Sequence, residues 1–449
     1  MSKIPLIEHD HEIPGGFARF VVPYIVGLAA PLLVAIAWSP SGYWTPLKGL
    51  MVGYSIPIVG AELFAIAVAL REGLAKQLKR WTWTPVVAAA LAILLIVAAA
   101  TAVLAPQKQV AITLTAYWIV HGLFAISIAY LTGRVFEAGD LVKAYMAGFA
   151  IFAAEFLLFL QQVPDWATFN WTGGFMAFPH IRHAGYYLAA MAALGIGAMA
   201  VGERRGAWLW AWASAAAATA IAMWTGSRGG VLAIAGALVV GSLVLPALRS
   251  IRSWAGALSA MAAGLAAAWI APAAPSSLMG LTHAVRQTTS GDVTTGRTTI
   301  WKNVIAAIEK HPLFGYGEGQ MHWVAPFSTM AQPHNSILQV ALAWGLVGLA
   351  CVAILAIAFA WRAIPAVRRE GGAMVPVCLA MTAIAILSLY DASLYYALPQ
   401  SIFMASAGMV ASRWGVVRPT ADRSASRPAR SREATWSDSA TEASASSGS

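Results

Sequence analysis

The chain has 449 residues, 59% of them hydrophobic and only 11% charged, with a mean hydropathy of +0.68. Soluble domains carry about a quarter charged residues, so this composition excludes a soluble globular protein and predicts an all-α polytopic integral membrane protein. The net charge of +10 calls for no nucleic-acid partner if topology accounts for it, and the two cysteines, Cys351 and Cys378, lie in apolar runs that suit neither a disulfide framework nor a thiolate zinc site.

In chain order, residues 1–16 form a short arm, and the first apolar run, 17–38, is too long for a signal-peptide core and is expected to remain as a span. Counting apolar runs of about 18 residues or more then gives 48–70, 83–104, 109–132, 141–161, 181–201, 206–225, 229–247 and 254–271. A polar interval at 272–333 follows, before 334–361, 373–390 and 395–414. The sequence therefore predicts about twelve transmembrane helices. Nine lie within 1–271, three lie within 334–416, and one large periplasmic loop at 272–333 carries short amphipathic helices. With both termini in the cytoplasm, 21 of the 29 Lys and Arg residues fall on the cytoplasmic side, which satisfies the positive-inside rule and accounts for the net charge. The tail from 417 to 449, rich in Ser, Ala, Thr and Arg, is expected to be a disordered cytoplasmic segment. No internal repeat supports a repeat-built transporter.

The basic residues left on the outer face break this trend and are candidates for function. Arg228 lies in the short turn Trp224-Thr225-Gly226-Ser227-Arg228-Gly229-Gly230. Flanking glycines let an anion approach the backbone, and a guanidinium offers a fork matched to phosphate. The same pattern also fits a tight turn whose arginine reaches to the headgroups. Arg297 precedes Ile300, Trp301, Val304, Ile305 and Ile308, a stripe that reads as an amphipathic helix capped by Thr298 or Thr299. Arg182 and His183, at the start of a span, are candidates for the wall of a polar headgroup cavity. His180 and His183 are spaced like a metal pair, but the outer acids Asp165, Asp292, Glu309, Glu318 and Asp391 are scattered, so no metal site is expected. Glu62 and Glu155 lie inside spans, where functional and structural pairing remain equally open.

His334 stands in Pro333-His334-Asn335-Ser336, at the point where the loop ends and an apolar span begins. An imidazole titrates near neutrality, so a histidine at the membrane surface is suited to general base work. The Ser227-Arg228-Gly229-Gly230 turn, Gly296-Arg297, the run His311-Pro312-Leu313-Phe314-Gly315-Tyr316-Gly317 and His334-Asn335-Ser336 together resemble the O-antigen ligase family, over roughly residues 180 to 390. The resemblance implies a fold of the GT-C glycosyltransferase type in the bacterial inner membrane, with the active site facing the periplasm. It implies transfer of a glycan from undecaprenyl diphosphate, the O-antigen donor, to a sugar hydroxyl of the lipid A–core oligosaccharide, without cofactor or metal. In that reading His334 is the base and Arg228 and Arg297 hold the diphosphate. Arg182, His183, Asn335 and Tyr316 then line the substrate cavity among membrane lipids. The alternatives are an O-antigen polymerase or O-oligosaccharyltransferase of the same superfamily, and, from another class, a transporter of lipid-linked glycans.

Overall fold

The computed structural model describes residues 16–38, 55–79, 83–171, 175–178, 180–272, 296–325 and 332–414. Most of the N-terminal arm, the start of the second expected span, much of the 272–333 loop and the 417–449 tail lie outside these residues. The described chain is helical, with no strand among the described residues. Among the described residues, seven helices are long and apolar enough to cross a membrane: Pro85–Leu104, Lys108–Leu131, Ala138–Gln162, Ile181–Val201, Arg205–Trp224, Ile251–Ile270 and Ser336–Glu370. An eighth crossing results if Phe17–Gly27 and Ala29–Ile36, bent by 58° at their junction, form one span. The other apolar runs hold shorter helices. Ile56–Arg71 has 16 residues, Arg228–Val244 has 17, and Met374–Ser388 and Ala397–Ala411 have 15 each. Two of these shorter helices end or begin at the polar cluster described below.

Burial orders the bundle. In Ile181–Val201, 83% of the apolar window is enclosed, against 28% in Pro85–Leu104, so the first is a central helix and the second a peripheral one. Close approach depends on small residues: a Cβ on Gly185 would lie 2.0 Å from Ser227 Oγ, so glycine there lets Ile181–Val201 meet the turn before Arg228. That turn is also fixed from below. Trp224, 5% exposed, packs edge-to-face on Phe156, Trp166 and Trp171, with centroids 5.4, 6.1 and 5.5 Å away.

The longest helix, Ser336–Glu370, is interrupted at Gly345, whose φ of 64° and ψ of −170° suit only glycine. The break frees backbone groups that would cost several kcal/mol each if left unpaired in hydrocarbon. The segment 312–317 takes them up. Tyr316 and Gly317 N–H donate to Leu342 and Ala343 carbonyls at 2.9 and 2.8 Å, and Leu346 and Val347 N–H donate to Pro312 and Leu313 carbonyls at 2.7 and 3.2 Å. The His311–Gly317 run thus serves as a wedge that repairs a broken helix. The amphipathic helix expected after residue 296 is Arg297–Lys310; Val304 and Ala307 are fully buried and pack toward Met321 and Leu342. Its cap is Gly296, with φ of 79° and no side-chain hydrogen bond, rather than Thr298 or Thr299.

Candidate active site

Five helix ends meet at one end of the bundle. They are the N-termini of the helices entered through Ile181–His183, at Arg228, at Arg297 and at Ser336, and the C-terminus of Met374–Ser388. Helix N-termini carry partial positive charge, so their convergence favours an anion. At the centre sits Asp391, in the short connection between Ser388 and the 3-10 turn Ser393–Tyr395. Its Oδ1 accepts from Tyr186 Oη at 2.7 Å, His334 Nδ1 at 2.8 Å and Ala392 N–H at 2.8 Å. Its Oδ2 accepts from Arg297 Nη2 at 2.9 Å. Burial alone would raise this carboxyl, but the hydrogen bond from His334 and the charge of Arg297 outweigh it and hold the group at about 2. An ionised carboxylate only accepts, so the proton of a neutral His334 lies on Nδ1 and Nε2 presents its lone pair.

The backbone around His334 is tightly specified. His334 has φ of 53°, a left-handed conformation uncommon for a residue with a side chain. Its N–H donates to Gln332 Oε1 at 2.6 Å, and Pro333 O accepts from Trp301 Nε1 at 2.9 Å. The helix expected to start at 334 starts at Ser336, with Asn335 as its cap. Asn335 Oδ1 accepts from Leu338 N–H at 3.0 Å and Nδ2 donates to Leu389 O at 2.8 Å. Asn335, expected at the substrate cavity, therefore spends both amide atoms on the fold, tying His334 to the strand of chain that carries Asp391.

The remaining expected residues divide. Arg228 is the first residue of Arg228–Val244, and Tyr390 Oη donates to the carbonyl of Gly229 at 2.7 Å, joining this turn to the residue beside Asp391. Arg182 lies within electrostatic range of Arg228, Arg297 and Asp391. Arg182, Arg228, Arg297, His334 and Asp391 accordingly form one cluster. His183 borders it, with Nε2 3.2 Å from Tyr396 Oη and its ring 4.4 Å from the Tyr396 ring. His180 accepts from Arg182 N–H through Nδ1 at 3.1 Å; burial, reinforced by the Arg182 charge, pushes it down to about 4, so it is neutral. Tyr316 stands apart: its hydroxyl donates to Ala307 O at 3.0 Å, and its backbone belongs to the wedge at the helix break. Glu318, next on that wedge, is 2% exposed and accepts from Gln339; burial pushes it up to about 7.

Sequence reasoning missed Asp391, Tyr186, Gln332 and Tyr396. Asp391 was visible only as one of several scattered acids, yet it sits at the end of an apolar run and beside tyrosines, the setting in which an acid needs partners. Among the described residues no group of three His, Cys, Asp or Glu side chains is arranged to hold a metal ion. The cluster offers instead three guanidinium groups, one carboxylate and one imidazole bonded to that carboxylate through Nδ1. That set can neutralise a phosphate-bearing group and accept a proton beside it.

Residues 213–353 match the sequence profile of the family described as O-Antigen ligase. This stretch, about a third of the chain, carries the likeness to the O-antigen ligase family. No curated protein matches the chain. The matched stretch contains Arg228, Arg297, His334 and Asn335 and ends before Asp391, while Arg182 and His183 precede it. That likeness and the apolar helices together indicate a polytopic membrane protein.

Proposed function

We propose that this protein is a glycosyltransferase of the inner membrane that moves a glycan from undecaprenyl diphosphate to a sugar hydroxyl of the lipid A–core oligosaccharide, at a site facing the periplasm, in a topology of twelve spans. The observation that carries this reading is Asp391 bound at once to His334 and Arg297, which couples a base to a phosphate-binding cation. The diphosphate is already a competent leaving group, so the protein has to hold it and neutralise the charge that grows as it departs. Arg228, Arg182 and the donors of Arg297 not spent on Asp391 supply that charge.

The acceptor hydroxyl attacks the anomeric carbon from the face opposite the diphosphate. The new carbon–oxygen bond forms as the bond to the phosphate oxygen breaks, with inversion. The hydroxyl proton passes to His334 Nε2, and the imidazolium is stabilised by Asp391 at Nδ1. Undecaprenyl diphosphate leaves with the bonding electron pair. Purified protein given a lipid-diphosphate glycan and lipid A–core should extend the core, as resolved by gel. If the glycan grows only on further donor, the acceptor is another lipid-linked glycan and the protein is a polymerase. If neither product forms while the donor crosses the membrane, the transporter reading replaces both.

A further inference from the structure

The end of the bundle remote from the cluster holds a second charged feature. Ala397–Ala411 begins beside the cluster at Tyr396 and ends against the last turns of Lys108–Leu131, where a Cβ on Gly408 would lie 2.3 Å from Ala125 O. On that opposite face a cavity of about 350 Å³ opens between the ends of Ile56–Arg71 and Lys108–Leu131, lined among others by Arg71, Glu72, Lys76, Tyr130 and Arg134. Tyr130, 6% exposed, builds it. Its hydroxyl donates to Glu72 O at 2.6 Å, fixing the turn after Arg71, and its ring carries the Arg134 guanidinium 4.6 Å from the centroid. A guanidinium held by its face keeps its edge donors available for a planar or tetrahedral anion.

Helix carbonyl ends attract cations, which accounts for Arg71 in the last turn of its helix. It does not account for Lys76 on the following helix and Arg134 beyond Leu131 lining the same cavity. Three cations face one acid, Glu72, and among the described residues no ion pair joins that acid to any of them. From the rim at Arg71, Leu70 and Leu63 run up the same helix as exposed apolar residues one stripe apart. A charged pocket continuous with an apolar stripe on a membrane helix has the layout of a headgroup above an acyl chain.

We propose that this cavity binds the phosphate of an acidic phospholipid headgroup, with an acyl chain lying along Leu63 and Leu70; free inorganic phosphate is the other source of the same chemistry. The test is a thermal-shift titration of the purified protein in phosphatidylcholine nanodiscs of increasing phosphatidylglycerol content, giving an apparent affinity. A parallel titration uses inorganic phosphate. Each cation near a charged lipid surface contributes roughly fivefold in affinity, so Lys76→Gln should weaken phosphatidylglycerol binding roughly fivefold. Combined with Arg71→Gln and Arg134→Gln the loss should be on the order of a hundredfold. A control with Arg204→Gln, Arg205→Gln and Arg369→Gln removes equal charge elsewhere and should stay within about threefold of the unaltered protein. Equal loss in both triple variants, or no phosphatidylglycerol effect in the unaltered protein, overturns the lipid site. Tight phosphate binding without lipid preference replaces the lipid with a soluble anion. Glycan transfer by the Arg71/Lys76/Arg134 variant should persist, since none of these residues touches the cluster at Asp391, and it reports that the variant has folded.

Discussion

Asp391→Asn is the sharpest perturbation of the proposed chemistry, because it removes one charge and almost no volume. The carboxylate accepts hydrogen bonds from Tyr186, His334, Arg297 and Ala392. An amide in its place has one acceptor oxygen and an NH2 that must face a donor, so either His334 or Arg297 loses its partner. If the NH2 faces His334, the imidazole is held with its proton on Nε2, and the lone pair needed by the acceptor hydroxyl is gone. General base assistance is typically worth ~10²–10⁴-fold, so kcat should fall by that order, matching His334→Ala. The double variant should fall little further, because the two residues act as a unit. The assay is gel-resolved transfer from lipid-diphosphate glycan to lipid A–core by purified protein, at saturating donor. An Asp391→Asn variant that turns over within about threefold of the unaltered protein refutes the dyad. The same carboxylate gives a pH signature. Its folded value of about 2 lies below the unfolded ~3.9, so its stabilisation, about 2 kcal/mol, is complete above pH ~4 and is lost as pH falls toward 2. The stability gap between the two proteins should close over that window in thermal scans.

Further outcomes follow from the same geometry. Arg228→Lys and Arg297→Lys keep charge but lose the fork, so each should raise the KM for donor well above that of Arg205→Lys. Three equal KM values would remove the diphosphate assignment. Gly345→Ala would set a Cβ 2.2 Å from the Leu313 backbone in a glycine-only conformation, so it should destabilise by ~3 kcal/mol or more, read as a lower thermal midpoint and poor membrane yield. Glu318, raised to about 7, binds its proton more tightly folded than unfolded, so stability should decline as pH rises from ~4.5 to ~7, and Glu318→Gln should flatten that slope in the same scans. Transfer should continue in EDTA, since the cluster supplies three guanidinium charges and its single carboxylate, Asp391, is already bonded to His334 and Arg297; activity that stops and recovers with Mg²⁺ would overturn the arginine mechanism.

His334, Arg228 and Arg297 stand out in the sequence for one physical reason: a polar or charged side chain at the boundary of an apolar run is costly unless it finds partners. Asp391 obeys the same rule, but its meaning lies in partners 57, 94 and 205 residues away, at His334, Arg297 and Tyr186. Nothing in local patterning reports such pairing. Tyr316 and Asn335 are expected at the cavity because they neighbour the informative motifs, and in the structure their side chains bond within the fold. Hydropathy also could not reveal the break at Gly345, since a helix and a repaired break bury the same apolar residues. The histidine–proline–glycine run was therefore visible as a motif while its structural task was not.

These features bear on one another through the short stretch that carries His334. A left-handed residue costs of order 1–3 kcal/mol and persists only where its surroundings over-determine it. Here Gln332 holds the N–H, Trp301 holds the preceding carbonyl, Asn335 ties the next residue to Leu389, and Asp391 holds the ring. Three separate helices thus fix one imidazole, and the broken helix behind it is pinned by the wedge at Gly345. In the proposed reaction this pre-organisation has a further consequence. Asp391 shares its two oxygens between the base and an arginine, so protonation of His334 draws the carboxylate's charge toward the imidazolium. Arg297 is then less neutralised at the moment when charge accumulates on the departing diphosphate. Acceptor deprotonation and leaving-group stabilisation are in this way coupled through a single side chain, which is why its substitution should damage both.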